Sequence, residues 1–225
     1  MLEYVTESVV SGGLVLDLGT KDGRKTANLD ARVIGVDLDI GENAVETVTF
    51  VAGDGRQLPF RADSFDIVIA DQILEHVQDT EAVVSEMARV LDPDGRAYAA
   101  FPHRFAPTKP HGLPRWFSMP PLKWRHRIAS RLWSGGREEY ACHGNHPLTP
   151  LEARRIFEDH FGDVRHGTLS FRRECADRYV REGGPAATAF ETVRPVIETV
   201  AGTRLGGRVF ESLWPHPEYV LREPV

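Results

Sequence analysis

Apolar positions along the chain fall into short runs separated by polar, glycine-containing turns. Leu14 to Leu16 lead into Asp17, Leu18 and Gly19, and a second glycine, Gly23, follows in the same loop. Val33 to Val36 repeat the pattern and end at Asp37, while "VTFVAGD" ends at Gly53-Asp54 and "FDIVIAD" at Asp71. Runs this short, rich in valine and isoleucine and apolar at consecutive positions, predict strands covered on both faces, as in a parallel sheet. A fifth strand is expected after the Pro93-Asp94-Gly95 turn in "LDPDGRAYAAFP", and two more near Val164 to Phe171 and Tyr219 to Arg222. Between them the sequence predicts helices: a short one after Gly23, one whose first turns carry His76 in "QILEHV", and one ending before Pro93. Alternating strands and helices predict an α/β fold, a Rossmann-like doubly wound and mostly parallel seven-stranded sheet with helices on both faces.

The alternation breaks between His103 and Leu148. Prolines there forbid one continuous helix, yet the stretch carries three of the four tryptophans. Within it, Leu122 to Trp133 reads as an amphipathic helix with Trp124, Ile128 and Leu132 at helical spacing as the apolar row and Lys123, Arg127 and Arg131 as a parallel basic row. "TPLEARRIFEDHF" resumes regular structure, with Thr149 as N-cap, Pro150 at the first helical position and Glu152 completing a capping box. These features describe a single domain over residues 1–225. Residues 14–102 form its core, 103–148 an insertion that would cover a substrate, and 149–225 a part that completes the sheet.

Composition changes this picture little. With 225 residues, 41% apolar and 27% charged, the chain is an ordinary globular one. It lacks an apolar run of membrane-spanning length, and "MLEYVTESVV" lacks the basic and apolar parts of a secretory signal, so the cytoplasm is the expected location. Two cysteines, Cys142 and Cys175, make no disulfide framework and are expected to be free thiols. Cys142, His143 and His146 read as unligated side chains, and no metal is expected.

Charge adds more. A net charge of -6 argues against general nucleic-acid binding, but His103 to Arg137 holds eight Lys or Arg residues and no Asp or Glu. Three readings stand open for that segment: a solvated lid face, a site for an anionic small-molecule acceptor, and peripheral contact with an anionic membrane surface.

A strand running through a glycine loop is a common seat for a nucleotide-like ligand, because glycine lets backbone approach the ligand closely. A carboxylate at the end of the second strand suits ribose hydroxyls, which both NAD and S-adenosylmethionine present. The Gly19-x-x-x-Gly23 spacing departs from the Gly-x-Gly-x-x-Gly of dinucleotide sites. With "LDLGTKDG", "GVDLD", "GDGRQLPF", "SFDIVIADQILEHV" and "LDPDG" in this order, residues 14–102 resemble the class I S-adenosylmethionine-dependent methyltransferases, in the subgroup that includes ubiquinone and menaquinone biosynthesis enzymes.

The resemblance implies S-adenosyl-L-methionine as cofactor and an antiparallel last strand. It further implies that Asp17, Gly19, Thr20 and Gly23 surround the methionine part, that Asp37 holds the ribose and that Asp54 receives the adenine amine. Leu38 and Gly55 would flank the adenine ring, and Ala70 and Asp71 would close the pocket. The acceptor is expected to be a small molecule or a lipid- or glycan-linked one methylated at oxygen, its being anionic one of the readings left open. A base is needed only for a hydroxyl or protonated amine, with His103 or His76 as candidates and His111, His143 and His146 of the insertion arriving on closure. Lys21 stands where the family's loop carries glycine or another small residue. That departure keeps a catalytically silent S-adenosylmethionine-binding module as the alternative.

Overall fold

The computed structural model of the chain describes residues 5, 9, 11–40, 44–104, 117, 120, 122–135, 146–166, 199 and 218–225. Seven strands form one sheet: β1 (Leu14–Leu18), β2 (Arg32–Asp37), β3 (Thr49–Ala52), β4 (Phe65–Asp71), β5 (Leu91–Ala100), β6 (Phe161–His166) and β7 (Glu218–Pro224). Their order is β3-β2-β1-β4-β5-β7-β6. β1 pairs in parallel with β2 and β4, β2 with β3, and β4 with β5, whereas β7 runs antiparallel to both β5 and β6. This is the expected mostly parallel sheet with an antiparallel last strand. Because β1 lies between β2 and β4, the strand order reverses beside it, and the loops after β1 and β4 diverge above the carboxyl ends. Such a switch point opens a crevice.

Both faces of the sheet are covered. One buries Leu16, Leu18, Val68, Ala70, Ala97, Ala99 and Leu221 against α1 (Thr80–Val90) and Phe157 of α3 (Pro150–His160). On the other, Val15, Val33, Ile67, Ile69, Tyr98 and Val220 meet Val5, Val9, Leu29, Val45 and Phe50. Thr149 caps α3 as its sequence predicts: its hydroxyl accepts from the Glu152 N–H (3.2 Å), and its own N–H donates to the Glu152 carboxylate (2.7 Å). Asp79 caps α1 by accepting from the Ala82 N–H (3.1 Å).

Four expectations need correction. The short helix after Gly23 is absent. Residues 20–29 wind instead through successive i→i+3 turns: Gly23 N–H to Thr20 O, Thr26 N–H to Gly23 O and Leu29 N–H to Thr26 O. Thr26 turns its hydroxyl onto Asp17 (2.7 Å), and that tether holds the segment under the loop rather than along a helix axis. His76 lies not on the first turns of a long helix but on a separate 3-10 turn, Leu74–His76, before α1 begins at Thr80. The β5 strand begins at Leu91, yet its pairing with β4 jumps from Leu91 to Arg96, so the Pro93-Asp94-Gly95 turn bulges out of the ladder. Finally, α2 (Leu122–Leu132) forms where periodicity places it but presents a different face. Arg125 and Ala129 are buried beside Phe117, whereas Trp124 and Leu132 are exposed. The Phe117–Trp133 ring contact at 5.0 Å selects the inner row, which lies toward Arg125 rather than Trp124. Of the proposed sixth strand, residues 167–171 lie outside the described residues, as do His111, Cys142, His143 and Cys175.

Candidate functional site

A cleft of ≈ 290 Å³ opens at the carboxyl edge of the sheet. Leu18 and Gly19 line it from β1, Val36, Asp37 and Leu38 from β2, and Gly53 to Arg56 from β3. Ile73 and His76 to Gln78 close it from the loop after β4, with Val83 from α1. The sheet brings these together because the Gly53 N–H donates to the Asp37 carbonyl (3.0 Å), and the Gly19 N–H to the Val36 carbonyl (2.8 Å). The loop after β3 is in turn tied to α1. The Leu58 N–H donates to Glu86 (2.6 Å), and Arg89 donates to Glu86 and to the Phe60 and Leu58 carbonyls.

Gly19 has φ +70°, and a Cβ there would meet Ile73 at 2.9 Å, so both conformation and space at the cleft require glycine. Gly23 has φ +75°, but a Cβ on it would strike Phe50 at 2.8 Å, and it does not line the cleft. It is a packing glycine that lets the loop lie on the β3 side. Lys21 also adopts a left-handed conformation (φ +54°), with an exposed side chain and a backbone N–H that donates to Asp37 (2.9 Å).

The predicted carboxylates occupy distinct situations. Asp37 accepts from the N–H groups of Lys21 at one oxygen and Asp39 at the other (3.3 Å), which leaves acceptor capacity on both oxygens facing the cleft. Asp54 is gripped by Arg56: the Arg56 backbone N–H, Nε and Nη2 all donate to it, at 2.9, 3.0 and 2.6 Å. The guanidinium holds the Asp54 carboxyl below its ordinary range. Asp17 is buried under the loop and accepts the hydroxyls of Thr20 (2.9 Å) and Thr26 (2.7 Å); burial nevertheless raises its pKa. Thr20 in turn fills the space above Gly35, where a Cβ would meet its methyl at 2.6 Å. Asp71 pairs with Lys25 Nζ at 2.6 Å, and Ala70 is buried inside β4. Leu38 is 77% exposed at the rim, an unusual exposure for a large apolar side chain beside two carboxylates.

The two candidate bases separate. His76 lines the cleft, whereas His103 is buried and not among the lining residues. Residue-pattern reasoning passed over Arg56, the apolar wall of Ile73, Val77 and Val83, and Glu75. Glu75 is buried on the 3-10 turn with Oε1 3.9 Å from His76 Nε2, and among the described residues its Oε2 has no hydrogen-bond partner. Burial pushes its pKa up to about 7. The signal for Arg56 was present in "GDGR", since an arginine two residues beyond an aspartate can fold back onto it. Glu75 gave none, because burial of one carboxyl is not a local property. Among the described residues, no group of three or more His, Cys, Asp or Glu could hold a metal ion.

A family model described as "Methyltransferase domain" matches residues 16–99. A demethylmenaquinone methyltransferase of Mycolicibacterium paratuberculosis is 40% identical over 91 residues, covering 38% of this chain and 40% of that protein. The chain thus spans about two fifths of the length of this curated relative. The crystal structure of YcgJ from Bacillus subtilis superposes with a TM-score of 0.55 at 20% identity over 99% of this chain and 98% of the other. A Haemonchus contortus phosphoethanolamine N-methyltransferase, in complex with phosphomonomethylethanolamine and S-adenosylhomocysteine, superposes with a TM-score of 0.56 at 16% identity, covering 100% and 52%. At these identities the superpositions speak to the fold.

Proposed function

We propose, from the match of residues 16–99 to a methyltransferase domain, that the chain is a class I S-adenosylmethionine-dependent methyltransferase and transfers a methyl group from S-adenosyl-L-methionine to a small or lipid-linked, anionic acceptor at oxygen. The observation that carries the reading is the donor set of the cleft. Two carboxylates end adjacent parallel strands, a left-handed glycine lies at one side, and an exposed leucine stands between. An adenosine needs acceptors for its ribose hydroxyls and exocyclic amine together with an apolar surface for the ring, and this set provides them.

In this reading Asp37 accepts the ribose hydroxyls with its remaining lone pairs. Leu38 and Gly55 flank the base, and Asp54 accepts the amine. Because Arg56 already donates to Asp54, the amine shares the carboxylate with the guanidinium or displaces it. Gly19 and Thr20 set the backbone beside the methionine part. Asp17 and Gly23 act through the loop, one by gathering the Thr20 and Thr26 hydroxyls and the other by letting the turn approach Phe50. Ala70 and Asp71 stand outside the cleft lining and in this reading act from behind it, Ala70 as part of the core and Asp71 by holding the end of β4 through Lys25.

The cofactor supplies an electrophilic methyl carbon, so the protein's task is alignment and, for a hydroxyl acceptor, removal of one proton. Its place at the cleft supports His76 for that proton. His103 would reach the acceptor only through the 103–148 insertion, which in this reading closes over it. The name of the menaquinone-type relative supports a lipid-soluble acceptor. Lys21, exposed and holding Asp37 with its backbone, supports a working site over a silent one.

Titration calorimetry with S-adenosylhomocysteine and with NAD tests the cofactor. The homocysteine compound is expected to bind and NAD not to. Asp37→Ala should weaken the former by about 1–3 kcal/mol, the worth of hydrogen bonds to a charged acceptor. Tight NAD binding with no heat from the homocysteine compound would reject the reading. Transfer of labelled methyl from the cofactor into a panel of quinol, phenol and glycolipid acceptors then identifies the acceptor class.

A further inference from the structure

Helix α2 exposes what a helix covering a protein core would hide. Its inward row is Arg125 and Ala129, both buried, with Ile128 and Trp133 packed at the edge against Phe117. Trp124 is 54% and Leu132 58% exposed, large apolar side chains left open to water among the described residues of this helix. Lys123, Arg127 and Arg131 are exposed as well, and no Asp or Glu occurs between Leu122 and Leu132.

Helical spacing puts Trp124, Ile128 and Leu132 on one row and Lys123, Arg127 and Arg131 on the next. An apolar row bordered by a purely basic one matches the boundary between acyl chains and anionic headgroups. There a tryptophan ring sits at headgroup depth and long basic side chains reach back to phosphates. We propose that α2 is a peripheral docking surface for an anionic lipid bilayer, with Trp124 and Leu132 entering the interface and Lys123, Arg127 and Arg131 meeting the headgroups.

The charge arrangement favours a bilayer over other anionic partners. A nucleic acid would use the basic row but leave Trp124 and Leu132 in water, and the chain as a whole carries -6. A lipid surface uses both rows. Burial first, and then the like charge of Arg104 just past β5, lowers the Arg125 pKa, so the inward row of the helix lies within electrostatic reach of that segment. Docking through α2 would bring the chain to the surface in which lipid-linked molecules lie. That deepens the lipid-linked reading of the acceptor and rests on it for its purpose, but binding to a bilayer requires neither cofactor nor turnover.

The test is sedimentation of the full chain with vesicles of phosphatidylcholine alone and of phosphatidylcholine containing about one-third phosphatidylglycerol, at low and high salt. The chain should partition onto the anionic vesicles, release in high salt and ignore the neutral ones. Each basic residue near such a surface contributes roughly fivefold, so Arg127→Glu with Arg131→Glu should weaken partitioning at least about twentyfold. Trp124→Ser with Leu132→Ser keeps every charge and should weaken it roughly tenfold or more. All four positions are exposed, so circular dichroism and S-adenosylhomocysteine binding should match the parent. Equal binding to neutral and anionic vesicles, or anionic binding that survives both double variants, would overturn the proposal. Retention on RNA without vesicle binding would overturn it in favour of a nucleic-acid face. Loss of S-adenosylhomocysteine binding by the parent, with vesicle binding intact, would instead reject the methyltransferase reading and leave this surface standing.

Discussion

Glu75→Gln should stabilise the protein at alkaline pH and do little in acid. The Glu75 side chain is 6% exposed, its Oε2 has no hydrogen-bond partner among the described residues, and Asp71 adds like charge while Lys25 offsets some of it. Burial is the largest cause of a pKa that rises from 4.5 to about 7. That rise corresponds to about 3 kcal/mol. The sign follows from proton counting. Below pH 4.5 folded and unfolded chains both hold the proton, and the residue contributes no pH dependence. Between 4.5 and about 7 the unfolded chain releases it and the folded one keeps it, so stability falls as pH rises through that window. Above it the full cost of a buried carboxylate is present.

Glutamine copies the shape of the protonated acid and cannot ionise. Its advantage over the parent should therefore grow from about 1 kcal/mol or less near pH 5 to about 3 kcal/mol near pH 8.5. Urea unfolding of both proteins at the two pH values measures this, and any fixed offset from the new amide cancels in the difference. A stability gap that stays constant with pH would refute the reasoning, since Glu75 would then carry the same charge folded and unfolded. Such a buried acid beside a ligand cleft is the kind of local cost that functional sites retain.

Three further outcomes follow from the site. Lys21→Gly removes a side chain from a left-handed backbone (φ +54°). It should raise stability by about 0.5–1 kcal/mol in thermal unfolding, the strain relief being partly offset by glycine's freedom when unfolded. S-adenosylhomocysteine affinity should stay within a few-fold; a large loss would mean that the lysine side chain itself engages the ligand. His76→Ala should lower turnover about 10²–10⁴-fold with cofactor affinity retained. His103→Ala, at a position 3% exposed and away from the cleft lining, should instead cost about 1–3 kcal/mol of stability. The opposite division of effects would return the proton transfer to His103.

What the chain's own pattern determines here is local and periodic. Runs such as "VIGVD" and "FDIVIAD" are short and rich in valine and isoleucine, which marks them as strands covered on both faces. Their acidic ends mark the carboxyl edge, and Thr149-Pro150-x-Glu152 announces its helix because every group in that cap lies within four residues. The strand ends bearing Asp37 and Asp54 were legible for the same reason. Tertiary structure decided which donor each polar group meets. Asp71 meets Lys25 across 46 positions, the Leu14 N–H meets Asp66 across 52, and Thr26 is drawn off a helix by Asp17. It also decided that Arg125 rather than Trp124 turns inward on α2, because Phe117 and Trp133 complete the inner row from one side. Helical spacing names the rows of a helix. Which row faces inward depends on the neighbour that arrives, just as the charge on Glu75 depends on the water its neighbours remove.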